Sequence, residues 1–380
     1  MPAASILIKP ASANCNMDCK YCFYKCLSSH REEYSKGFMK EETLETLVRE
    51  AIAYADGSLT FAFQGGEPTL AGLDFFQKAV ELQQKYNNKK LQIENTIQTN
   101  GLLIDEKWAR FLGEHRFLVG LSLDGPKKMH DRYRKDAAGQ DTFARIMHSV
   151  QLLEQYHVDY NVVTVVTNDT AKQASFLYKF WKRNHYPFVQ FIPCMDEIKR
   201  QDGTQERSIY AVEPEQYGKF LCELFDLWYA DFVAGETMDI RMFSNLAQMA
   251  AGYPAEECGM NGCCNCYFVV EGDGSVYPCD FYCMDAWKLG TVKDGFVQMK
   301  TSEKAKAFVE ASRPVCATCH ECPYFSLCRG GCRRWREPFV DGKPGLNQLC
   351  SAYRMFFAHA AERMERLGVY IRQKYVGSGK

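Results

Sequence analysis

Three thiols stand within eight residues near the start of the chain, in Cys15-Asn-Met-Asp-Cys19-Lys-Tyr-Cys22. Three thiolates on one short loop can hold three irons of a four-iron cluster, which leaves the fourth iron open to another ligand. A structural zinc site instead closes with four protein ligands. A second chemistry-bearing stretch, Gly65-Gly66-Glu67-Pro68, follows an apolar run, and a further set of cysteines lies between Cys258 and Cys350.

These residues need elements to position them. Short apolar runs at 5–11, 59–64, 91–99, 117–123, 159–167 and 188–193 read as strands. Helical patterns at 40–55, 73–86, 105–113, 142–156 and 173–183 separate them. Repeated strand–helix alternation implies a parallel sheet with helices outside it. Six strands suit an open, partial barrel rather than a closed eight-fold one, and in either case function collects at the carboxyl ends of the strands. The Cys15 loop, Gly65-Gly66-Glu67-Pro68, Gln98-Thr99-Asn100 and Ser122-Leu123-Asp124 all fall there. Residues 195–212 are polar and irregular. Residues 213–234 form an amphipathic helix whose stripe of Tyr217, Phe220, Leu221, Leu224, Phe225 and Trp228 is expected to face the core. The composition turns cysteine- and glycine-rich from Glu257.

The chain has 380 residues, a net charge of −1 and 18 cysteines. The charge gives no global basic field for nucleic acid. No apolar run reaches membrane-spanning length, and the start lacks the pattern of a signal peptide. The expected location is the cytoplasm, where clustered cysteines serve as metal ligands rather than disulfides.

Cys15-x3-Cys19-x2-Cys22, with Tyr21 before the third thiol and Gly65-Gly66-Glu67-Pro68 one strand further on, resembles the radical S-adenosylmethionine (SAM) enzymes. The resemblance implies a 4Fe–4S cluster on the three thiolates, with SAM on the unique iron. Reductive cleavage of SAM gives a 5′-deoxyadenosyl radical that takes a hydrogen atom from substrate. Gly65, Gly66 and Glu67 would lie along SAM, the glycines because a residue without Cβ permits a close approach. Ser122, Asp124 and Arg134 are the implied partners of the SAM carboxylate and ribose, and Met195 of the adenine. Ser122 and Asp124 also read as a strand-end turn, Arg134 as one of a solvated basic group, and Met195 as a core side chain.

The C-terminal cysteines, Cys264-x9-Gly274-x4-Cys279 and then Cys319-x2-Cys322-x5-Cys328-x3-Cys332 with Cys350, look like a SPASM domain with two auxiliary 4Fe–4S clusters. The resemblance assigns Cys258, Cys264, Cys279 and Cys332 to one cluster. It assigns Cys319, Cys322, Cys328 and Cys350 to the other. Cys263 beside Cys264, and Cys316 before Cys319, leave alternative registers open. The fold class is thus a partial (β/α)6 radical SAM barrel over 1–235, a SPASM domain over 236–350, and a C-terminal helix and tail over 351–380. The basic cluster of Arg329, Arg333, Arg334 and Arg336 reads as a solvated face.

Within this class the chain is similar to the anaerobic sulfatase-maturating enzymes. The carriers include Ile8-Lys9-Pro10-Ala11, Gln98-Thr99-Asn100-Gly101, Cys258-Gly259-Met260-Asn261-Gly262 and Val276-Tyr277-Pro278-Cys279-Asp280-Phe281-Tyr282. That resemblance implies oxidation of a cysteine or serine to formylglycine in a Cys/Ser-x-Pro/Ala-x-Arg segment of an unfolded or nascent sulfatase. A flavodoxin or ferredoxin would supply electrons. Asp280, fixed beside a cluster ligand, is the candidate base, against a capping aspartate. Tyr24, Gln64, Gln98 and Arg241 are candidates for peptide contact, against ordinary strand-end hydrogen bonding for the first three. Pro193, Met242 and Ser244 depart from the pattern and leave the substrate open. The alternatives are a maturase that cross-links a precursor peptide and a non-enzymatic multi-zinc interaction protein.

Overall fold

A computed structural model describes residues 3–196, 208–236, 238–339 and 342–377, so most of the irregular 195–212 stretch and the end of the tail lie outside the described residues. The chain forms two compact units. Of the described residues, the first holds 3–162 and 265–307, and the second 163–196, 208–236, 238–264, 308–339 and 342–377.

Six strands appear where the apolar runs predict them: β1 Ala4–Ile8, β2 Ser58–Phe63, β3 Gln92–Thr99, β4 Leu118–Ser122, β5 Tyr160–Val166 and β6 Phe188–Pro193. In the first unit β1, β2, β3 and β4 pair in parallel in that order, with β5 next to β4. Alternate residues of β2, Leu59, Phe61 and Phe63, are fully buried under the helices. There Phe63, Phe76, Trp108 and Phe117 pack ring to ring, Phe63 and Phe76 at 4.9 Å and Phe76 and Trp108 at 5.1 Å. Aromatic contacts of this kind add about 0.5–1.5 kcal/mol each beyond area burial.

Four short strands escape a sequence reading. β7 Asp239–Ile240 pairs in parallel with β6 in the second unit. In the first unit β8 Val269–Val270 joins the free edge of β1 in parallel. β9 Ser275–Tyr277 turns back antiparallel on β8, and β10 Gly290–Thr291 on β9. Two- and three-residue strands are too short to show a period of two. The cysteine-rich region therefore does not fold as one piece, because residues 265–307 extend the sheet that starts at β1.

In the second unit the helix Pro214–Val233 buries the predicted stripe from Tyr217 to Trp228. It packs against Arg241–Ala250 and Cys350–Gly377, with Phe225, Phe243 and Phe356 in mutual contact at 5.3 to 5.8 Å. No described helix is long and apolar enough to cross a membrane.

Candidate active site

β1 delivers the chain into the Cys15 loop, and Cys22 caps the helix Phe23–Ser29 that ends it. The loop is held by its neighbours. Gly66 N donates to Ser12 O at 2.8 Å and Glu67 N to Asn14 O at 2.8 Å. A Cβ on Gly66 would stand 2.1 Å from Asn14 O, so glycine is required by the approach of the protein's own cysteine loop. Gly65 takes φ +119° for the same turn. Glu67 is fully buried, and its carboxylate is spent inside the protein. It accepts from Thr69 N and Oγ1 at 3.1 and 2.6 Å, Thr99 Oγ1 at 2.7 Å and Asn100 N at 2.7 Å. It thereby ties the end of β2 to the end of β3.

The three thiols lie close together: Cys22 stands near enough to raise the pKa of Cys15, and Cys22 and Cys15 that of Cys19. Burial pushes Cys15 to about 11 and Cys19 to about 12, the latter against the pull of Arg134, and Cys22 also rises. Such thiols give up their protons to a metal rather than to water. Donors already face the sulfurs: Met17 N at 3.4 Å and Asn100 Nδ2 at 3.8 Å from Cys15, and Arg134 Nη1 at 3.8 Å from Cys19. Hydrogen bonds to sulfur of this kind support an iron–sulfur cluster.

Asp124 and Arg134 are both buried and form an ion pair at 3.0 Å, with the Tyr21 hydroxyl also on Asp124. Arg134 is therefore not part of a solvated basic group. Ser122 Oγ accepts from Gln98 Nε2 at 3.1 Å. These residues gather on the β3–β4 side of the thiol loop.

Asp280 is joined to residues more than two hundred positions away. Its Oδ1 lies 2.7 Å from Lys9 Nζ, and its Oδ2 accepts from the Tyr24 hydroxyl at 2.7 Å. Gln64 Nε2 donates to that hydroxyl at 2.6 Å. Lys9 also stands 4.6 Å above the Tyr24 ring. Behind Lys9, Glu271 is fully buried and binds Arg31 at 2.7 Å and Ser12 Oγ at 2.7 Å, with Lys9 Nζ at 3.6 Å. Burial works against the charge on Lys9, but Asp280, then Cys283 and Glu271, outweigh it and the ammonium is held protonated. Burial and then Asp280 push the Tyr24 phenol well up, so it remains a donor. The Tyr267 hydroxyl accepts from Asp280 N at 3.0 Å and donates to Cys279 Sγ at 3.5 Å, which fixes the peptide between thiol and carboxylate. Asp280 thus caps nothing; both its oxygens are held by side chains. Arg31, Glu271 and Tyr267 are missing from the sequence reading, and Lys9 enters it only within Ile8-Lys9-Pro10-Ala11, with no role in the site. The one hint is a lysine closing an apolar strand, in Ile6-Leu7-Ile8-Lys9.

In the second unit Cys264, Cys258 and Cys332 lie together, and burial first, then the other two thiols, raise Cys332 to about 12. Cys279, the fourth thiol of that implied set, belongs to the first unit. Cys319, Cys322, Cys328 and Cys350 all line one small cavity. Cys316 Sγ is 3.5 Å from Cys319 Sγ, so a fifth thiol stands beside this set. Among the described residues no group of three His, Cys, Asp or Glu is placed to hold a metal ion.

The arginine cluster corrects the solvated-face expectation. Arg333, Arg334 and Arg336 are buried. Arg333 donates to Phe308 O at 2.7 Å, and Arg336 to Ser312 O at 2.7 Å and Pro314 O at 3.1 Å. They satisfy carbonyls around the thiols. Arg241 Nη1 reaches Gln190 Oε1 at 3.3 Å, beside Pro193 on a cavity of about 260 Å³. Met195 is half-buried just after β6, with its carbonyl 3.9 Å from the Cys194 thiol.

A partial parallel barrel with an open three-thiol loop after its first strand, followed by further thiol sets, defines a radical SAM enzyme with a SPASM domain. The radical SAM superfamily profile matches residues 10–179, and that of the SPASM iron–sulfur cluster-binding domain matches 262–323. A cysteine-type anaerobic sulfatase-maturating enzyme of Clostridium perfringens is 47% identical over 96% of this chain and 98% of its own. A serine-type enzyme of Bacteroides thetaiotaomicron is 34% identical over 95% and 90%. The solved structure of native anSMEcpe with bound AdoMet and Cp18Cys peptide superposes with a TM-score of 0.92 at 45% identity, over 97% of this chain and all of that one. The chain belongs to the anaerobic sulfatase-maturating family. Its cofactors are accordingly SAM and several 4Fe–4S clusters.

Proposed function

We propose that this chain converts the cysteine of a Cys-x-Pro/Ala-x-Arg sulfatase segment to formylglycine, with Asp280 as the base. The observation that carries the proposal is the Asp280 carboxylate, held from both sides by Lys9 and Tyr24 directly after a cluster thiol. Cysteine is favoured over serine because identity is 47% to the cysteine-type relative and 34% to the serine-type one.

Cys15, Cys19 and Cys22 hold the cluster to which SAM binds, and Gly65, Gly66, Ser122, Asp124 and Arg134 border SAM, with Met195 at its adenine. Bound there, SAM supplies the radical that removes one Cβ hydrogen atom from the substrate. The substrate cysteine must also lose its thiol proton and one electron to become a thioaldehyde, the electron passing to an auxiliary cluster that the second thiol sets would hold, and water converts the thioaldehyde to the aldehyde and hydrogen sulfide. Asp280 Oδ2 takes the thiol proton. Tyr24 yields its hydrogen bond to that oxygen and retains the one from Gln64. Lys9 holds Oδ1 still, so the acceptor oxygen is pre-aimed rather than recruited. Gln98 and Arg241 contact the peptide. The remaining thiols, Cys258, Cys264, Cys279 and Cys332 in one set and Cys319, Cys322, Cys328 and Cys350 in the other, hold the auxiliary clusters. A flavodoxin or ferredoxin is the electron-carrying partner, and the cytoplasm keeps the ligand thiols reduced.

The test is anaerobic reconstitution with SAM and reductant, offered Cys-, Ser- and Ala-containing motif peptides. Mass spectrometry with an aldehyde-reactive probe should find formylglycine chiefly from the cysteine peptide. A cross-linked product, or none from any sulfatase motif, would defeat the proposal.

A further inference from the structure

The chain turns directly after β1. Ser12 N donates to Lys9 O at 3.0 Å, and Ser12 takes φ +52°, in the left-handed region that residues with a Cβ rarely enter. Such a residue persists where its surroundings fix it. Here three further bonds do so. Ser12 O accepts from Gly66 N at 2.8 Å, which ties the turn to the glycines that pack on the cysteine loop. Ser12 Oγ accepts from Lys36 N at 2.8 Å and donates to Glu271 Oε2 at 2.7 Å.

Glu271 follows β8, and its N–H donates to Ser275 O at 2.9 Å across the hairpin whose second strand, β9, leads to Cys279 and Asp280. Its Oε1 binds Arg31 Nη2 at 2.7 Å and stands 3.6 Å from Lys9 Nζ, and all three side chains are at most 2% exposed. Arg31 Nε also donates to the carbonyl of Cys283, three residues past Asp280. The segment from Glu271 to Cys283 is thus pinned at both ends to the segment from Lys9 to Arg31. Burial alone would raise the pKa of Glu271, but Lys9 and then Arg31 hold it down, so the carboxylate stays charged. Apolar side chains of the same volume would join these segments without desolvating a carboxylate and two cations, so adhesion is not what this group adds. It adds fixed geometry, because a fully satisfied buried polar network is rigid where apolar packing can slide.

We propose that Glu271 is a positioning residue that keeps Asp280 in register with the cysteine loop, by facing Lys9 on the base side and binding Ser12 on the loop side. Formylglycine formation needs two events on one substrate side chain, loss of a Cβ hydrogen atom and loss of the thiol proton. The first is organised by the cysteine loop and the second by Asp280, and these lie on segments far apart in the chain. Lys9 fixes Asp280 Oδ1 at 2.7 Å, and Glu271 holds Lys9 and the Ser12 turn against one carboxylate. This rests on the reading of Asp280 as the base.

The test compares full-length, fully reconstituted wild type with Glu271→Gln and Ser12→Ala on a cysteine motif peptide. Glu271→Gln keeps the shape and an acceptor for Ser12 but not the charge that faces Lys9 and Arg31. Ser12→Ala keeps the charges and removes only the tie to the loop. Iron and sulfide are counted first, and 5′-deoxyadenosine and formylglycine are then measured together. In both variants 5′-deoxyadenosine should form at the wild-type rate while formylglycine falls about tenfold, less than the roughly 100-fold that a displacement near 1 Å can cost. A role confined to folding would lower both products together and leave their ratio unchanged. An unchanged ratio in either iron-replete variant would therefore overturn the proposal. Where Glu271→Gln does not hold its iron, Ser12→Ala decides by the same ratio. Asp280→Asn is run beside them: full formylglycine from that variant would refute the base reading itself, whereas its loss together with an unchanged ratio in Glu271→Gln would overturn only the role of Glu271.

Discussion

Replacing Lys9 by methionine keeps the stem and removes the charge that faces Asp280. Lys9 Nζ is 2.7 Å from Asp280 Oδ1, and the two side chains are 2% and 9% exposed. Water can therefore do little to replace the ammonium. Arg31 still neutralises Glu271 at 2.7 Å, so the group left without a counter-charge is Asp280. Removing one partner of a buried pair costs about 3–5 kcal/mol. The bond from Tyr24 to Asp280 is present with or without Lys9, so it does not offset that loss. The carboxylate will then either swing toward water or bind a proton, and in both cases it no longer presents a fixed, charged Oδ2. A displacement near 1 Å can cost about 100-fold in rate, and aldehyde formation by Lys9→Met should fall by that order. Formation of 5′-deoxyadenosine, which does not need Asp280, should continue. The assay follows both products in one anaerobic reaction and reports their ratio. Iron-replete Lys9→Met that makes aldehyde at the wild-type rate would refute the argument. A Lys9→Met, Asp280→Asn double variant supplies a check, because it removes both charges together. It should regain much of the lost stability and none of the aldehyde.

Other perturbations act on the supports of the site. Gly66→Ala would place a methyl 2.1 Å from Asn14 O, a backbone atom that can move only with the cysteine loop. It should cost about 1–3 kcal/mol and lower the iron content by one cluster's worth, read by metal analysis. His130 is fully buried between Asp124 N and the Thr142 hydroxyl, and burial, opposed by Asp124 and reinforced by Arg134, pulls its pKa down to about 4. As pH falls below the unfolded value of about 6.5, the unfolded chain takes up this proton and the folded chain does not. Stability should therefore drop between pH 6.5 and 4, by about 2 kcal/mol between pH 7 and 5 from this group alone. His130→Asn should flatten that slope in urea midpoints measured at the two pH values, and an unchanged slope would show that His130 does not cause it.

The parallel strands, the three-thiol loop and Asp280 were legible in the sequence because each is a local pattern: an apolar run, a spacing, a residue beside a cysteine. What surrounds Asp280 was not. Lys9, Tyr24 and Gln64 meet it across 271, 256 and 216 positions, and no periodicity carries such a pairing. Arg333, Arg334 and Arg336 mislead for a related reason. Clustered charge ordinarily means solvent, and here the carbonyls of Phe308, Ser312 and Pro314 take its place. Gly66 was singled out for a close approach of SAM, and the structure shows a different reason for glycine there, the carbonyl of Asn14. β8 and β9 show why the cysteine-rich segment contributes to the barrel unit: two residues of β8 are enough to continue the sheet from β1.

The central claim is that Asp280 is the base in a radical oxidation begun by SAM. Asp280→Asn keeps the size of the side chain and can still hydrogen-bond to Tyr24, but it cannot take a proton at neutral pH. The measurement is a single anaerobic time course on a cysteine motif peptide, with 5′-deoxyadenosine and formylglycine quantified together. Continued 5′-deoxyadenosine formation with loss of formylglycine is the predicted result. Full formylglycine yield from Asp280→Asn would contradict the account.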